Sequence, residues 1–480
     1  MSILVVDVGT SGVRAAVVRG DASIAVEHHR ELLPDAPDAG LVEFDARLLA
    51  DVTLDLARQA LADGGPVDAV GITTQRASAV VWDRATGEPV GPALGWQDLR
   101  TVGDCLVLQA EGLRFAPNQS ATKLSWLLNT YDPDRSRDLC FGTPDTWIVW
   151  NLSGGALHVT DLSNAAVTGL IDLDASDWHD GVLEQLRIPR SMLPTIVDSV
   201  GLIGPASALP GAPPIAGILG DQQASMLGQG VVAPGPAKIT FGTGGMLDVV
   251  VGPDRPSFDT RGGGGTFPIV AWRRDGVATW GVEAIMLSAG TNVQWLRDDL
   301  GIIETAAQSH DVASQCDTAD GVVYVPALMG LGTPKWDYGA RGTLLGLTRG
   351  AGRPQIVRAV LEGIAQRGAD LVDAAETDGA PTIAAVRIDG GMSRNPTFVQ
   401  ALANATQRPV EVSPVVEATT LGAAFAAGLA IGTWGGLDDI AATWRPHASI
   451  DPGEPLDRER WADAVNRAAA WFPELSGLDF

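Results

Sequence analysis

The stretch "ILVVDVGTSGVRAAVV", residues 3–18, decides how the chain is read. Its two ends are apolar and β-branched, as buried strands are, and its middle places Gly9, Thr10, Ser11 and Gly12 between Asp7 and Arg14. That order predicts a strand, a tight turn and a second strand. Small residues let backbone N–H groups approach a polyanion, hydroxyls add donors, and an arginine adds charge, so the turn suits phosphate groups. The P-loop pattern GxxxxGK[ST] is missing, and an ordinary hairpin turn explains these residues equally well.

Glycine turns of this kind recur. "PAKITFGTGGMLDVVV" (236–251) predicts strand, turn and strand, with Thr243 as the turn's one hydroxyl. "AAVRIDGGMSRNPTFVQALANAT" (384–406) predicts a strand ending at Asp389, a Gly390-Gly391 turn, and a helix capped by Ser393 or Asn395. That third turn is either a plain strand-to-helix connection or a backbone floor under a nucleotide's base and ribose.

Between the turns, strand-like runs such as "VGITTQ" (70–75) alternate with helical patterns at 48–63 and 353–376, which predicts an α/β fold. The Ala- and Gly-rich pattern at 419–434 reads as a core helix. A division is expected near residue 225, giving domains 1–225 and 226–480. Just before it lies "GILGDQQASM" (217–226), where Asp221, Gln222 and Gln223 either close a buried strand as turn residues or hold a carboxylate at the mouth of a cleft.

Composition narrows the function. The 480 residues, 45% hydrophobic, are enough for two or three domains with cores. With 58 acidic against 33 basic residues, a net charge of -25 leaves no basic stripe for a nucleic-acid partner. No run approaches the roughly 18 apolar residues of a membrane span, and Asp7 interrupts the first hydrophobic segment, so neither a membrane anchor nor a secretory signal is expected. Cys105, Cys140 and Cys316 lie far apart without CxxC spacing, which argues against a metal cluster and fits a reducing cytoplasm.

In this order, "VDVGTSGVR", "GITTQRASAVVWD", "GWQDLRT", "SATKLSWLL", "FGTPDTWIVWNLSGG", "GDQQASMLGQ", "FGTGGML", "VRIDGGMSRNP" and "TTLGAAFAAGLAIGTW" resemble the FGGY carbohydrate kinases. The glycerol-phosphorylating members are the most similar. The resemblance implies two actin-like, ribonuclease H-like domains closing on ATP, Mg²⁺ and a small polyol or sugar, in a protein that is often a homodimer or homotetramer. It assigns Asp221 as catalytic base and, with Asp7, as a magnesium ligand. Thr10, Ser11, Arg14 and Thr243 fall at phosphate contacts, and Gly290, Gln294, Gly391 and Asn395 on the adenosine side.

On the acceptor side the resemblance assigns Arg76, Ala77, Trp96, Asn118, Asp221, Gln222 and Met246, and here the chain departs from the glycerol-phosphorylating pattern. The glutamate expected after Arg76 is Ala77, a tyrosine is replaced by Asn118, and a phenylalanine by Met246. One hydrogen-bond acceptor and two aromatic walls are gone, so glycerol is expected to be a poor acceptor or none, and a tetritol, pentitol or ketopentose to fit better. The residues also leave open a glycerol-specific enzyme despite this pocket, and an actin-like ATPase or a catalytically weak sensor. An ATPase module would lack "QR", "WQD" and "GDQQ", which favours the kinase.

Overall fold

The computed structural model describes residues 1–414 and 417–480. Strands β1 (Ser2–Val8) and β2 (Gly12–Arg19) form the predicted hairpin, in a register that sets Asp7 opposite Arg14. Then follow β3 (Ile24–Glu31), helix α1 (Ala46–Gly64), β4 (Ala69–Thr74), α2 (Ser120–Tyr131), β5 (Val200–Pro205), β6 (Pro214–Gly220) and α3 (Asp221–Gly228). The second half supplies β7 (Pro236–Phe241), β8 (Gly245–Gly252), β9 (Phe267–Arg274), β10 (Val277–Met286), α4 (Gly290–Asp298), α5 (Arg353–Thr377), β11 (Ala385–Asp389), α6 (Pro396–Thr406), β12 (Val410–Val412), α7 (Ala418–Ala430) and β13 (Ala448–Ile450).

One sheet runs β13-β12-β11-β7-β8-β10-β9-β5-β6-β4-β1-β2-β3. Its halves repeat one plan. In the first, β1 pairs antiparallel with β2 and parallel with β4, which continues parallel to β6. In the second, β7 pairs antiparallel with β8 and parallel with β11, which continues parallel to β12. The halves meet at one ladder pair, Val200 of β5 with Arg274 of β9.

The predicted helices form where their periodicity placed them. Asp45 caps α1, its carboxylate accepting from the N–H groups of Arg47 and Leu48. The apolar pattern at 419–434 overshoots: α7 ends at Ala430, and Gly432, at φ +74°, turns the chain out of the helix. α7 is core, as expected, but its core belongs to the other half. It packs on β1, β4, β6 and α3, among Ile3, Val5, Ala216 and Leu219.

α3 and α7 cross backbone to backbone. A Cβ on Gly422 would lie 1.7 Å from the Ala224 carbonyl oxygen, and one on Gly228 would lie 1.8 Å from that of Ala418. Neither neighbour is a side chain that can swing aside. Gly422→Ala is therefore expected to cost about 3 kcal/mol, the upper range of overpacking, and chemical denaturation should show it as a lower midpoint at unchanged slope. Among the described residues no helix is long and apolar enough to cross a membrane.

Candidate active site

Parallel strands bring their carboxyl ends to one edge, and in open α/β sheets that edge is where ligands collect. Here β1 ends beside Asp7, β4 leads into Gln75 and Arg76, and β6 ends at Gly220, directly before Asp221. On the same principle β7 leads into the turn 242–244 and β11 into Gly390.

At the first turn, Asp7 is buried and faces the Arg14 guanidinium at 3.6 Å, while the Thr420 hydroxyl donates to it at 3.3 Å. Burial pushes the Asp7 carboxyl up to about 7; Arg14 opposes this, and Asp221 and Glu417 add to it. Arg14 also pairs with Glu417 and lies 3.5 Å from Glu27. Thr10 accepts a hydrogen bond of 3.0 Å from the Trp96 indole, tying the first glycine turn to the segment that carries Trp96. Ser11 is exposed at the tip of the turn.

This burial has a thermodynamic consequence. In the unfolded chain Asp7 titrates near 3.8, so between that pH and about 7 the folded protein holds the extra proton and stability falls as pH rises. Asp7→Asn removes the cost of burying the charge. Its Tm is expected to exceed the parent's at pH 8 and to lose most of that advantage at pH 5, a difference that thermal denaturation at the two values will register.

Asp221 opens α3 and keeps 31% of its side chain exposed. Its Oδ1 accepts from the Gln222 backbone N–H at 2.8 Å and lies 3.4 Å from Arg76 Nε. Burial raises its carboxyl above the usual aspartate range, against the pull of Arg76. The motif is thus no plain turn, since strand passes to helix without a loop and the acid stands at the junction.

Arg76 donates through Nη2 to Glu283 of β10 at 2.6 Å. Gln222 accepts through Oε1 from Lys238 of β7 at 2.6 Å. Ala77 holds a left-handed φ of +60°, and its carbonyl accepts from the Ser120 hydroxyl at 3.0 Å. Trp96 is half-buried, its N–H bonded to Ser78 Oγ at 3.0 Å, and Asn118 is exposed. Met246 lies on β8 opposite Ile285 of β10.

The second turn packs on the start of α4. Gly290 N–H donates to the Gly242 carbonyl at 2.9 Å and Ala289 N–H to that of Thr243 at 2.8 Å. A Cβ on Gly290 would lie 2.6 Å from the Gly242 oxygen, so only glycine permits this approach. Gly390, at φ +81°, sits against Phe241, where a Cβ would meet its carbonyl at 2.4 Å. Gly391 is open on its side-chain face, Thr243 and Gln294 are exposed, and all belong to this corner of the second half. Asn395 is the α6 cap: Oδ1 accepts from Phe398 N–H at 3.1 Å, and Nδ2 donates to Ser309 at 2.9 Å.

Four charged residues went unread in the sequence. Lys238, Asp248 and Glu283 line up across β7, β8 and β10, and Glu417 grips Arg14. The first three left a signal, because each is the one charge in an apolar strand ("PAKITF", "MLDVVV", "GVEAIM") and an isolated charge in such a run must find a partner.

Residues 2–228 match the FGGY family of carbohydrate kinases, N-terminal domain, and residues 237–431 match its C-terminal domain. A glycerol kinase of Aromatoleum aromaticum is 40% identical over 494 residues, covering 98% of this chain and 99% of its own; one of Gloeobacter violaceus is 40% identical over 491 residues, covering 98% and 97%. Among solved structures, Plasmodium falciparum glycerol kinase with ADP superposes with a TM-score of 0.90 at 27% identity, over 97% of this chain and 98% of that one. A protein described as a xyloylose kinase from Brucella ovis superposes at 0.86 and 25% identity over 100% of both. With a match to each of its two domain models, the chain belongs to the FGGY family of carbohydrate kinases, ATP-dependent enzymes that phosphorylate an alcohol group of a polyol or sugar.

Proposed function

We propose that Asp221 is the base in phosphoryl transfer from ATP to a hydroxyl of a polyol or sugar other than glycerol, between lobes formed by residues 1–225 and 226–480. The carboxylate takes the hydroxyl proton, the acceptor oxygen bonds to the γ-phosphorus, and the bond from that phosphorus to the β,γ-bridging oxygen breaks, releasing ADP with the electron pair. The observation that carries this is the position of Asp221: partly exposed at the edge where three parallel strands end, and braced by Arg76 at 3.4 Å.

Thr10, Ser11 and Arg14 are placed to hold the phosphates from the first lobe and Thr243 from the second, with Gly290, Gln294, Gly391 and Asn395 on the adenosine side. Asp7 and Asp221 suit Mg²⁺, which takes one or two carboxylates along with phosphate oxygens; the Asp7 carboxyl, raised by burial and further by Asp221, gains from a cation there. A magnesium ion held by those carboxylates would supply neutralisation of charge on the transferring group. Ala77, Asn118 and Met246 leave the acceptor side roomier and poorer in hydrogen-bond acceptors than in a glycerol-phosphorylating enzyme. Cys105, Cys140 and Cys316, all unpaired, suit a reducing cytoplasm.

The test measures ADP release from ATP with a panel of polyols and sugars. Turnover that needs an acceptor and favours one other than glycerol supports the reading. Turnover without an acceptor identifies an ATPase, absence of turnover a scaffold, and a preference for glycerol by orders of magnitude would overturn the acceptor assignment.

A further inference from the structure

Of the 33 basic residues in the chain only three are lysines, Lys123, Lys238 and Lys335. Lys335 is exposed, and the buried Lys238 pairs with Asp248. Lys123 is also fully buried, yet among the described residues no carboxylate pairs with it. Its three partners are backbone carbonyls: Pro117 at 2.7 Å, Gln119 at 3.0 Å and Trp96 at 3.4 Å. Three acceptors match the three donors of an ammonium group, a compact charge that a planar guanidinium does not reproduce.

This is a costly place for a cation. A buried charge needs compensation, and Lys123 lies in the first turn of α2, where the helix dipole favours an anion. Asp98, close enough to favour the charge, is spent on Arg100 and on the Val42 N–H. Helical side chains lean toward the N-terminus, which carries Nζ back past the helix start to the carbonyls on either side of Asn118. The third carbonyl belongs to the separate segment of Trp96, whose N–H is held by Ser78 at 3.0 Å. One turn of helix thus ties the segment of residue 96 to that of residues 117–119, and Ser120 in the same turn holds the carbonyl of Ala77 at 3.0 Å.

We propose that Lys123 is a positioning residue for the acceptor: its ammonium group, shared among three carbonyls, fixes Trp96 and Asn118 relative to each other at the separation the acceptor fills. The inference rests on those two residues facing the acceptor. Without the ammonium group the carbonyls of residues 96, 117 and 119 lose their donor, and they regain one only by turning toward water, which carries Trp96 and Asn118 with them. The residues placed around the adenosine in the second half take no part in this tie.

Kinetics test this, with whichever of glycerol, a tetritol, a pentitol and a ketopentose the parent turns over fastest. Lys123→Met keeps the length of the stem and removes the donors. Its kcat/KM for that acceptor is expected to fall by about 10- to 100-fold, the scale of a displacement of about 1 Å, with the loss carried by KM and with KM for ATP changing far less. Lys123→Arg keeps charge and donors but sets them in a plane, and should show the same split less severely. A role in stability alone lowers the folded fraction, which scales kcat and leaves both KM values where they were. An acceptor KM unchanged in Lys123→Met, an equal rise in both KM values, or failure of both variants to fold would overturn the proposal; where only Lys123→Arg folds, its acceptor KM decides. If the proposal falls while Asp221→Asn still removes acceptor-dependent turnover, the catalytic reading stands without it. No turnover with any of the four acceptors would sink both.

Discussion

Asp221→Asn is expected to lower acceptor-dependent ADP release by about 10²- to 10⁴-fold, the range over which a positioned base contributes. The substitution is close to isosteric and leaves the fold intact. The amide oxygen still accepts the Gln222 backbone N–H, made at 2.8 Å in the parent, and the desolvation cost that raises the Asp221 carboxyl disappears. The Tm should therefore hold or rise while the rate collapses. Arg76 keeps Glu283 at 2.6 Å, so the ion pair beside residue 221 stays in place. In the parent the base must be ionised: kcat/KM for the acceptor should climb with pH along a limb lying above the ordinary aspartate range, and Asp221→Asn should erase it. A variant retaining a tenth of the parent rate would rule out this role.

Ala77→Glu is expected to raise kcat/KM for glycerol by about 10²-fold, since a site that can pair a substrate hydroxyl discriminates far more strongly than one that cannot. The backbone does not oppose the change. Alanine already occupies φ +60°, so the left-handed strain of a Cβ there is already borne, and the Ser120 hydroxyl holds the turn through its carbonyl at 3.0 Å. The new carboxylate follows Arg76 in the chain and accepts the proton that the parent cannot. Arg76 is already shared by Asp221 and Glu283, whose carboxyl burial raises to about 7, so a third acid there ionises reluctantly and the gain should be larger at pH 8 than at pH 6. Glycerol kinetics at the two pH values check this, and an unchanged kcat/KM would mean that position 77 does not face the acceptor.

The two substitutions probe residues of unequal legibility. Asp221 was readable because an acid and two amides interrupt a short apolar, strand-like run and the family resemblance falls on it, whereas the helix that begins at it, α3, was not read. Asn395 was readable as a helix cap, and the structure shows its side chain capping α6. α7 was legible as a core helix but not as a part of the first half's core, since an apolar face does not say which apolar face it meets. Lys238, Asp248 and Glu283 carried only the hint of lone charges in apolar strands.

Taken alone, the order of residues determined the strands, the glycine turns, the helix starts and the family, because these depend on backbone sterics and on side-chain period over a few neighbours. Only the tertiary structure decided that Lys238 meets both Asp248 and Gln222, that Glu283 rather than residue 77 stands by Arg76, and that Glu417 reaches Arg14. Those pairings follow from sheet register and from how the halves close on each other. A one-residue slip of any strand would turn its charge to the opposite face, and which strands become neighbours across the sheet is settled only by the closed fold.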